Sequence, residues 1–314
     1  MEGLADDVLR EILTRIPGYD HAVTEFARVS GSVLPRRAFT RLSPELNNGS
    51  RTSSGTPVRV QLLGSDPECM ADNAAQLVRC NPSGVDLNFG CPAPTVNRHR
   101  GGAALLDEPE LLYRIACAVR KAVPSHIPFT AKMRLGVTDT GKALDCGRAL
   151  ADGGVVELVV HARTKTDGYR PPAHWEWVGR IADVVAVPVV ANGEVWSEAD
   201  YARCRAVSGA THVMLGRGAV ADPFLAQRIR SGAPADRDVE WATLAPLLVE
   251  FWARVQDKVQ PRHAPGRLKQ WLNLLRRNFP GAEALYQQVR PLGDVAVINA
   301  LLASHGLPVA PHTT

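Results

Sequence analysis

One cysteine of this chain sits in a segment suited to chemistry. Val85-Asp86-Leu87-Asn88 reads as a short strand, and Phe89-Gly90-Cys91-Pro92-Ala93-Pro94 breaks it into a Gly/Pro-rich loop, with Asn97 and Gly101-Gly102 following. Loops at the carboxyl ends of strands are where α/β folds place reactive groups. A solitary cysteine is ordinarily a packing residue. Here Gly90 and Pro92 impose irregular backbone, and Asn88 adds a polar side chain just before the turn. Such a loop presents its cysteine rather than packing it. A thiol with an ordinary pKa of about 8.5 is protonated at neutral pH yet able to release its proton, so proton donation is within its reach.

Other polar residues close apolar strands. Gln61 follows Val58-Arg59-Val60, Lys132 lies in Ala131-Lys132-Met133-Arg134, and His161 ends Leu158-Val159-Val160. A lysine there is seldom a packing residue, because burying its charge unpaired is costly. The plain alternatives are an exposed strand-end lysine, a loop-capping glutamine and a satisfied histidine. Asn192-Gly193-Glu194 follows one later strand, and Gly216-Arg217-Gly218-Ala219 follows the next. Glycines let backbone N–H groups approach an anion, and an arginine adds a bidentate donor. Two such loops, one strand-helix unit apart and each leading into a helix, suit a phosphate group.

The elements that must position these residues alternate. Strands are expected at Ala22–Phe26, Val58–Leu62, Val85–Asn88, Phe129–Met133, Val156–His161, Val187–Ala191 and His212–Leu215. Helices are expected at Pro67–Arg79, Pro109–Ala122, Lys142–Ala151, Trp175–Val184, Glu198–Val207 and Asp222–Arg230. Strict alternation argues for a parallel sheet, and the spacing favours a (βα)8 TIM barrel. Runs such as Val187-Pro188-Val189-Val190 suit strands buried on both faces. Only seven strands are countable. The helix Asp6–Arg15 fits the first barrel helix, so the first strand looks truncated, with a late start codon as the expected reason. After residue 233 no strand follows. Trp241–Val259, Arg267–Asn278 and Glu283–Val289 have helical spacing. The expected division is a barrel domain over 1–233 and a small all-helical domain over 234–314, with a disordered tail from Pro308.

The 314 residues are 45% hydrophobic and 22% charged, with a net charge of +4. These values fit a globular protein and exclude a disordered chain. Apolar runs are too short to span a bilayer, and no signal peptide is visible. Six cysteines without a CxxC pair argue against a zinc site and a disulfide scaffold. A cytoplasmic location is expected. Arg254, Lys258, Arg262, Arg267, Lys269, Arg276 and Arg277 face one acid, Asp257, within 251–277. That segment is either a solvated helix face or a polyanion surface.

The Asn88–Pro92 segment, with Asn97 and Gly101-Gly102, resembles the loop that carries the proton-donating cysteine of the tRNA-dihydrouridine synthases. His161-Ala162-Arg163-Thr164-Lys165 with Gly168-Tyr169-Arg170, and Arg267-Leu268-Lys269-Gln270-Trp271-Leu272, are similar to the C-type bacterial subgroup that acts on U16. The resemblance implies a flavoenzyme with FMN as cofactor and NADPH as reductant. A hydride from reduced flavin adds at C6 of a D-loop uridine, and Cys91 donates the proton at C5. It implies cofactor contacts at Met1, Glu2, Gly3, Gln61, Lys132, His161, Asn192, Gly193, Glu194, Gly216 and Arg217. It implies tRNA contacts at Arg28, Asn88, Tyr169, Arg267 and Lys269, with Arg134 in a supporting or substrate-contacting place. No membrane and no obligatory protein partner are expected, and the chain is expected to be a monomer. Two other readings remain. An FMN barrel acting on a small molecule predicts turnover without RNA. A non-catalytic tRNA-binding protein predicts tRNA affinity that survives Cys91→Ala, and no flavin.

Overall fold

A computed structural model describes residues 3–97 and 101–309. The chain opens with α1 (Asp7–Leu13). Strands and helices then alternate: β1 (Ala22–Arg28), α2 (Arg36–Leu42), β2 (Val58–Leu63), α3 (Pro67–Val78), β3 (Val85–Phe89), α4 (Pro94–Asn97), α5 (Pro109–Ala122), β4 (Phe129–Arg134), α6 (Ala143–Asp152), β5 (Glu157–His161), α7 (Glu176–Ala182), β6 (Val189–Asn192), α8 (Glu198–Ser208) and β7 (Val213–Met214). Only helices follow: α9 (Arg217–Ala221), α10 (Leu225–Ser231), α11 (Arg237–Lys258), α12 (Ala264–Leu275), α13 (Pro280–Val289) and α14 (Val295–Ser304).

The seven strands form one parallel sheet in the order β1 to β7, a TIM-barrel-like arrangement. Among the described residues no ladder joins β7 back to β1. All seven expected strands are present, within two residues at most ends.

Local sequence accounts for the helices around the sheet. Asp66 caps α3 by accepting from the Cys69 amide at 2.7 Å, and Pro67 fills the first helical position. In α5, Leu112, Ile115, Ala116 and Val119 recur at helical spacing and are all buried. Fully burying one such leucine or isoleucine is worth about 1.5–3 kcal/mol.

The two faces of the sheet differ. Val60 and Leu62, Leu87 and Phe89, Ala131 and Met133, Leu158 and Val160, and Ala191 all join the helices in one apolar core. The alternate positions turn the other way and are mostly polar: Arg59 and Gln61, Asp86 and Asn88, Thr130 and Lys132, Glu157 and His161, Asn192, with Val159 and Val190 as apolar members. Arg59 Nη1 pairs with Glu157 Oε1 at 2.5 Å across that inner side. Strands β3 to β6 are buried at most positions on both faces, as the run Val189-Val190 suggested, although many of the inward side chains are polar. The helix-facing side holds the core, and the inner side holds a polar lumen. Barrel interiors are usually filled by bulky aliphatic layers, so a polar one is built to meet something.

The chain divides into two compact units, Asp20–Gly216 and Gly3–Tyr19 with Arg217 onward. This differs from the expected boundary at residue 233. The helix expected to be the first barrel helix, α1, belongs to the helical unit. Its Val8, Leu9 and Ile12 pack with Phe251, Trp252, Leu268, Trp271 and Leu272 in a second apolar core. Phe251 and Trp271 meet edge to face at 4.7 Å. Arg15 pairs with Glu250, and Lys258 with Asp7, pinning α1 to α11. Inside the same unit Arg228 is buried between Asp222 and Glu240. Helix α14 was not expected from sequence. Of the tail expected to be disordered from Pro308, residues 310–314 lie outside the described residues.

Candidate active site

Asn88 builds the cysteine loop. Its Oδ1 accepts from the amides of Gly90 and Cys91, both at 2.9 Å, which turns the chain sharply after β3. The Cys91 carbonyl accepts from the Ala103 amide at 3.0 Å and from Asn97 Nδ2 at 3.1 Å. Gly102 has φ +61°, and a Cβ there would lie 2.8 Å from the Cys91 oxygen. The asparagine and the glycine pair after the cysteine thus have a plain physical meaning. One holds the loop, and the other lets it fold close. Cys91 itself is partly exposed.

Behind the loop lies a buried hydrogen-bond chain. Asp86 is 2% exposed. Its Oδ1 accepts from Thr130 Oγ1 at 2.5 Å, and its Oδ2 accepts from Gln61 Nε2 at 2.7 Å. Gln61 Oε1 in turn accepts from Asn88 Nδ2 at 2.6 Å. Burial pushes the Asp86 carboxyl above its ordinary range, and the two donors with Arg59 and Lys132 pull it back. Lys132 lies beside Asn88 in the β3–β4 register. Burial, helped by the charge of Arg134, pushes its amine down to about 8, while Asp86 works the other way.

Arg134 is 1% exposed and joins two loops. Its Nε donates to the Gly90 carbonyl at 2.9 Å. Its Nη1 donates to the carbonyls of Thr164 at 2.8 Å and Gly168 at 2.9 Å. Its guanidinium also lies 5.3 Å from the centre of the Tyr169 ring. Tyr169 is itself 53% exposed, with its ring 6.1 Å from that of His161. An exposed aromatic ring fixed over a cation is ready to stack on a planar ligand.

His161 pairs with Asn192 across β5 and β6. Gly193 has φ +115°, and a Cβ there would come within 2.8 Å of the His161 ring. The amides of Gly193 and Glu194 donate to no acceptor among the described residues. Open amides beside a lumen lined by Gln61, Lys132 and His161 fit a planar cofactor that carries a phosphate. Gly216 closes the sheet unit, and Arg217 opens α9 in the helical one.

Several of the expected contacts have partners inside the protein. The Asn88 side chain braces its loop through Oδ1 and donates to Gln61 through Nδ2, a role beside the tRNA contact expected of it. The Glu194 carboxylate is held by Arg163 and by Trp196 Nε1 at 3.1 Å, which leaves its backbone for a ligand. Asn192 Nδ2 donates to the Met214 carbonyl at 2.8 Å. Gly3 belongs to the helical unit, where Arg267 Nη1 donates to its carbonyl at 2.6 Å. Arg267 also pairs with Asp6 at 2.9 Å and reaches the Leu4 carbonyl at 3.1 Å. It straps the N-terminal segment to α12, a structural role beside the phosphate contact expected of it. Met1 and Glu2 lie outside the described residues. Arg28 donates to the Thr95 carbonyl at 2.7 Å, just past the cysteine. Lys269 is partly exposed on α12, while Leu268, Trp271 and Leu272 are buried as expected.

Sequence reasoning missed Asp86 and Arg163. The signal was the polar residue at every second position of Asp86-Leu87-Asn88 and of Thr130-Ala131-Lys132. That alternation marks a polar inner face. Among the described residues no group of histidine, cysteine or acidic side chains is arranged to hold a metal ion. No described helix is long and apolar enough to cross a membrane.

Among solved structures, histamine dehydrogenase from Rhizobium sp. 4-9 is similar with a TM-score of 0.54 and 14% identity, over 79% of this chain and 47% of that one. A 2-naphthoyl-CoA reductase complex is similar with a TM-score of 0.56 and 11% identity, over 73% and 46%. The chain spans about half the length of both, and these likenesses concern the fold alone. The tRNA-dihydrouridine(16) synthase of Aquipseudomonas alcaligenes is 57% identical over 306 residues, covering 96% of this chain and 97% of that one. The enzyme of the same name from Ralstonia nicotianae is 55% identical over 316 residues, covering 99% and 97%. That of Neisseria meningitidis serogroup A is 48% identical over 306 residues, covering 96% and 92%. The family model described as dihydrouridine synthase matches residues 1–289. A match of that extent, with a cysteine loop braced above a polar lumen, means that the chain belongs to the dihydrouridine synthase family.

Proposed function

We propose that this protein reduces the C5=C6 bond of uridine 16 in the tRNA D-loop to 5,6-dihydrouridine, with FMN as its cofactor and NADPH as its reductant. The observation that carries the reading is Cys91, held by Asn88 and Arg134 at the mouth of a lumen lined by Gln61, Lys132 and His161. The relatives at 48–57% identity bear the matching name.

The chemistry supplied by a bound FMN is hydride delivery to C6, with NADPH as the electron source. Cys91 Sγ donates the proton that C5 needs. The half-buried Lys132 ammonium offsets negative charge on the ring system beside it. Gln61 and His161 orient that ring. The open amides of Gly193 and Glu194 and the backbone at Gly216 take the phosphate, and Arg217 is a further candidate contact. Tyr169 packs against the extruded base. Lys269 on α12 and Arg28 beside the cysteine loop meet RNA phosphates. On this reading tRNA is the partner, and the chain works as a monomer in the cytoplasm.

The test is Cys91→Ala, followed in two half-reactions. Flavin reduction by NADPH should stay at the wild-type rate. Uridine reduction in tRNA should slow about 10²–10⁴-fold, the usual worth of a positioned acid. An unchanged dihydrouridine yield would remove Cys91 from the reaction. Turnover of a small enone with no activity on tRNA would instead favour a small-molecule reductase.

A further inference from the structure

We propose that Asp86 is the positioning residue of the proton-donating loop, setting the order of a hydrogen-bond chain that runs through Gln61 and Asn88 to the backbone of Cys91. The inference rests on Cys91 being the acid of the proposed reaction. Asp86 does not reach Cys91 itself and acts only through the two amides between them.

Each link admits one polarity. The Asp86 oxygen that faces Gln61 accepts, with Thr130 donating to the other oxygen, and a backbone N–H only donates. Asp86 Oδ2 takes Nε2 of Gln61 at 2.7 Å, so Gln61 must turn Oε1 toward Asn88. Oε1 takes Nδ2 of Asn88 at 2.6 Å, so Asn88 must turn Oδ1 toward the loop. That oxygen then takes two amides at 2.9 Å, those of Gly90 and Cys91. Reversing Gln61 would set its oxygen against the carboxylate and its NH₂ against the NH₂ of Asn88. Reversing Asn88 would point its NH₂ at two N–H groups. Amide side chains have no intrinsic preference between their two ends, so the fixed groups at the two ends of the chain, the Asp86 oxygen that accepts and the loop amides that donate, make the choice for both. Buried, fully satisfied networks of this kind hold a single arrangement.

Thr130 fixes the anion from its other side, donating to Oδ1 at 2.5 Å. The Gln61 amide N–H meets Thr24 Oγ1 at 3.1 Å, which holds its backbone in the same layer. The chain's far end is the loop that Arg134 grips through the Gly90 carbonyl at 2.9 Å. Asp86 therefore sets the loop from within the barrel, and Arg134 from beside it.

Two substitutions separate this role from packing. In Asp86→Asn the new amide can still accept from Gln61 while its NH₂ turns to Thr130, whose hydroxyl reverses. In Asp86→Leu, Gln61 loses its acceptor. Flavin reduction by NADPH, uridine reduction in one turnover, and alkylation of Cys91 by iodoacetamide, followed on its own peptide, are compared in the full-length chain. The alkylation needs neither flavin nor tRNA.

In Asp86→Leu, uridine reduction should slow about tenfold or more, since small misplacements of a reacting group cost that much. Cys91 alkylation should change severalfold, flavin reduction should fall less than uridine reduction does, since Gln61 also orients the ring, and Asp86→Asn should retain most of all three. Unchanged uridine reduction and alkylation in Asp86→Leu would overturn the proposal. So would an equal loss of both half-reactions in Asp86→Asn, which marks a packing role. If Asp86→Leu does not fold, Asp86→Ala carries the test. It removes the acceptor of Gln61 without added bulk, so alkylation should change where Asp86→Asn leaves it unchanged. If the wild-type chain makes no dihydrouridine, the proposed reaction falls, and the alkylation arm still decides whether Asp86 orders the loop.

Discussion

Lys132 holds its charge in a place that disfavours it. Burial lowers its pKa from 10.5 to about 8, so the folded chain binds fewer protons than the unfolded one between those values. Stability drawn from this group is therefore lowest below pH 8 and rises with pH through the window to about 10.5. Lys132→Met should remove that rise. The urea midpoint of the wild type, compared with the variant, should improve between pH 8 and 10. A difference that does not vary with pH would mean the amine keeps its ordinary pKa. At this scale the sequence was legible where residue type restricts chemistry. Cys91 and Lys132 could be singled out by type and neighbours. Asn88 could not, because an asparagine serves RNA and backbone equally well, and only its three-partner geometry shows that it braces the loop.

At the scale of elements, the loop after β3 depends on Gly102. Its φ of +61° and the 2.8 Å approach to the Cys91 carbonyl admit no side chain. Gly102→Ala should cost about 1–2 kcal/mol for the left-handed backbone alone, read as a lowered urea midpoint. It should also slow uridine reduction while flavin reduction by NADPH persists. Full stability and full activity would show that the loop yields without consequence. Strands and most helices were readable here, because the periods of 2 and 3.6 are local properties. Helix α1 was readable as a helix but not in its place. Its stripe of Val8, Leu9 and Ile12 fits any apolar groove, and the packing partners are some 240 residues away in sequence. Helix α14 escaped notice because Val295–Leu302 shows no polar face to mark its period; only Ile298 and Leu302 are buried.

For the molecule as a whole, two neighbouring cations on α12 have opposite fates. Arg267 is committed to Asp6 and to the carbonyls of Gly3 and Leu4. Lys269 shows no such commitment and is partly exposed. Arg267→Ala should destabilise the chain by about 1–3 kcal/mol, as losing a partly buried charged hydrogen-bond donor does, and leave the salt dependence of tRNA binding unchanged. Lys269→Ala should leave stability unchanged and lower the slope of log affinity against log salt by about one. The opposite pattern would exchange their roles.

The amino-acid sequence by itself determined the alternating strands and helices, the seven-strand count, the cysteine loop and the family, because each rests on local pattern or on residue type at fixed spacing. It could not determine which face of the strands carries the core, or which polar side chains are free for a ligand. Tertiary structure alone decided that the lumen is mostly polar, that Asn88, Glu194 and Arg267 have partners inside the protein, and that α1 completes the helical core. Those facts depend on which donor meets which acceptor across distant segments. A buried polar group is committed by whatever partner the fold brings to it.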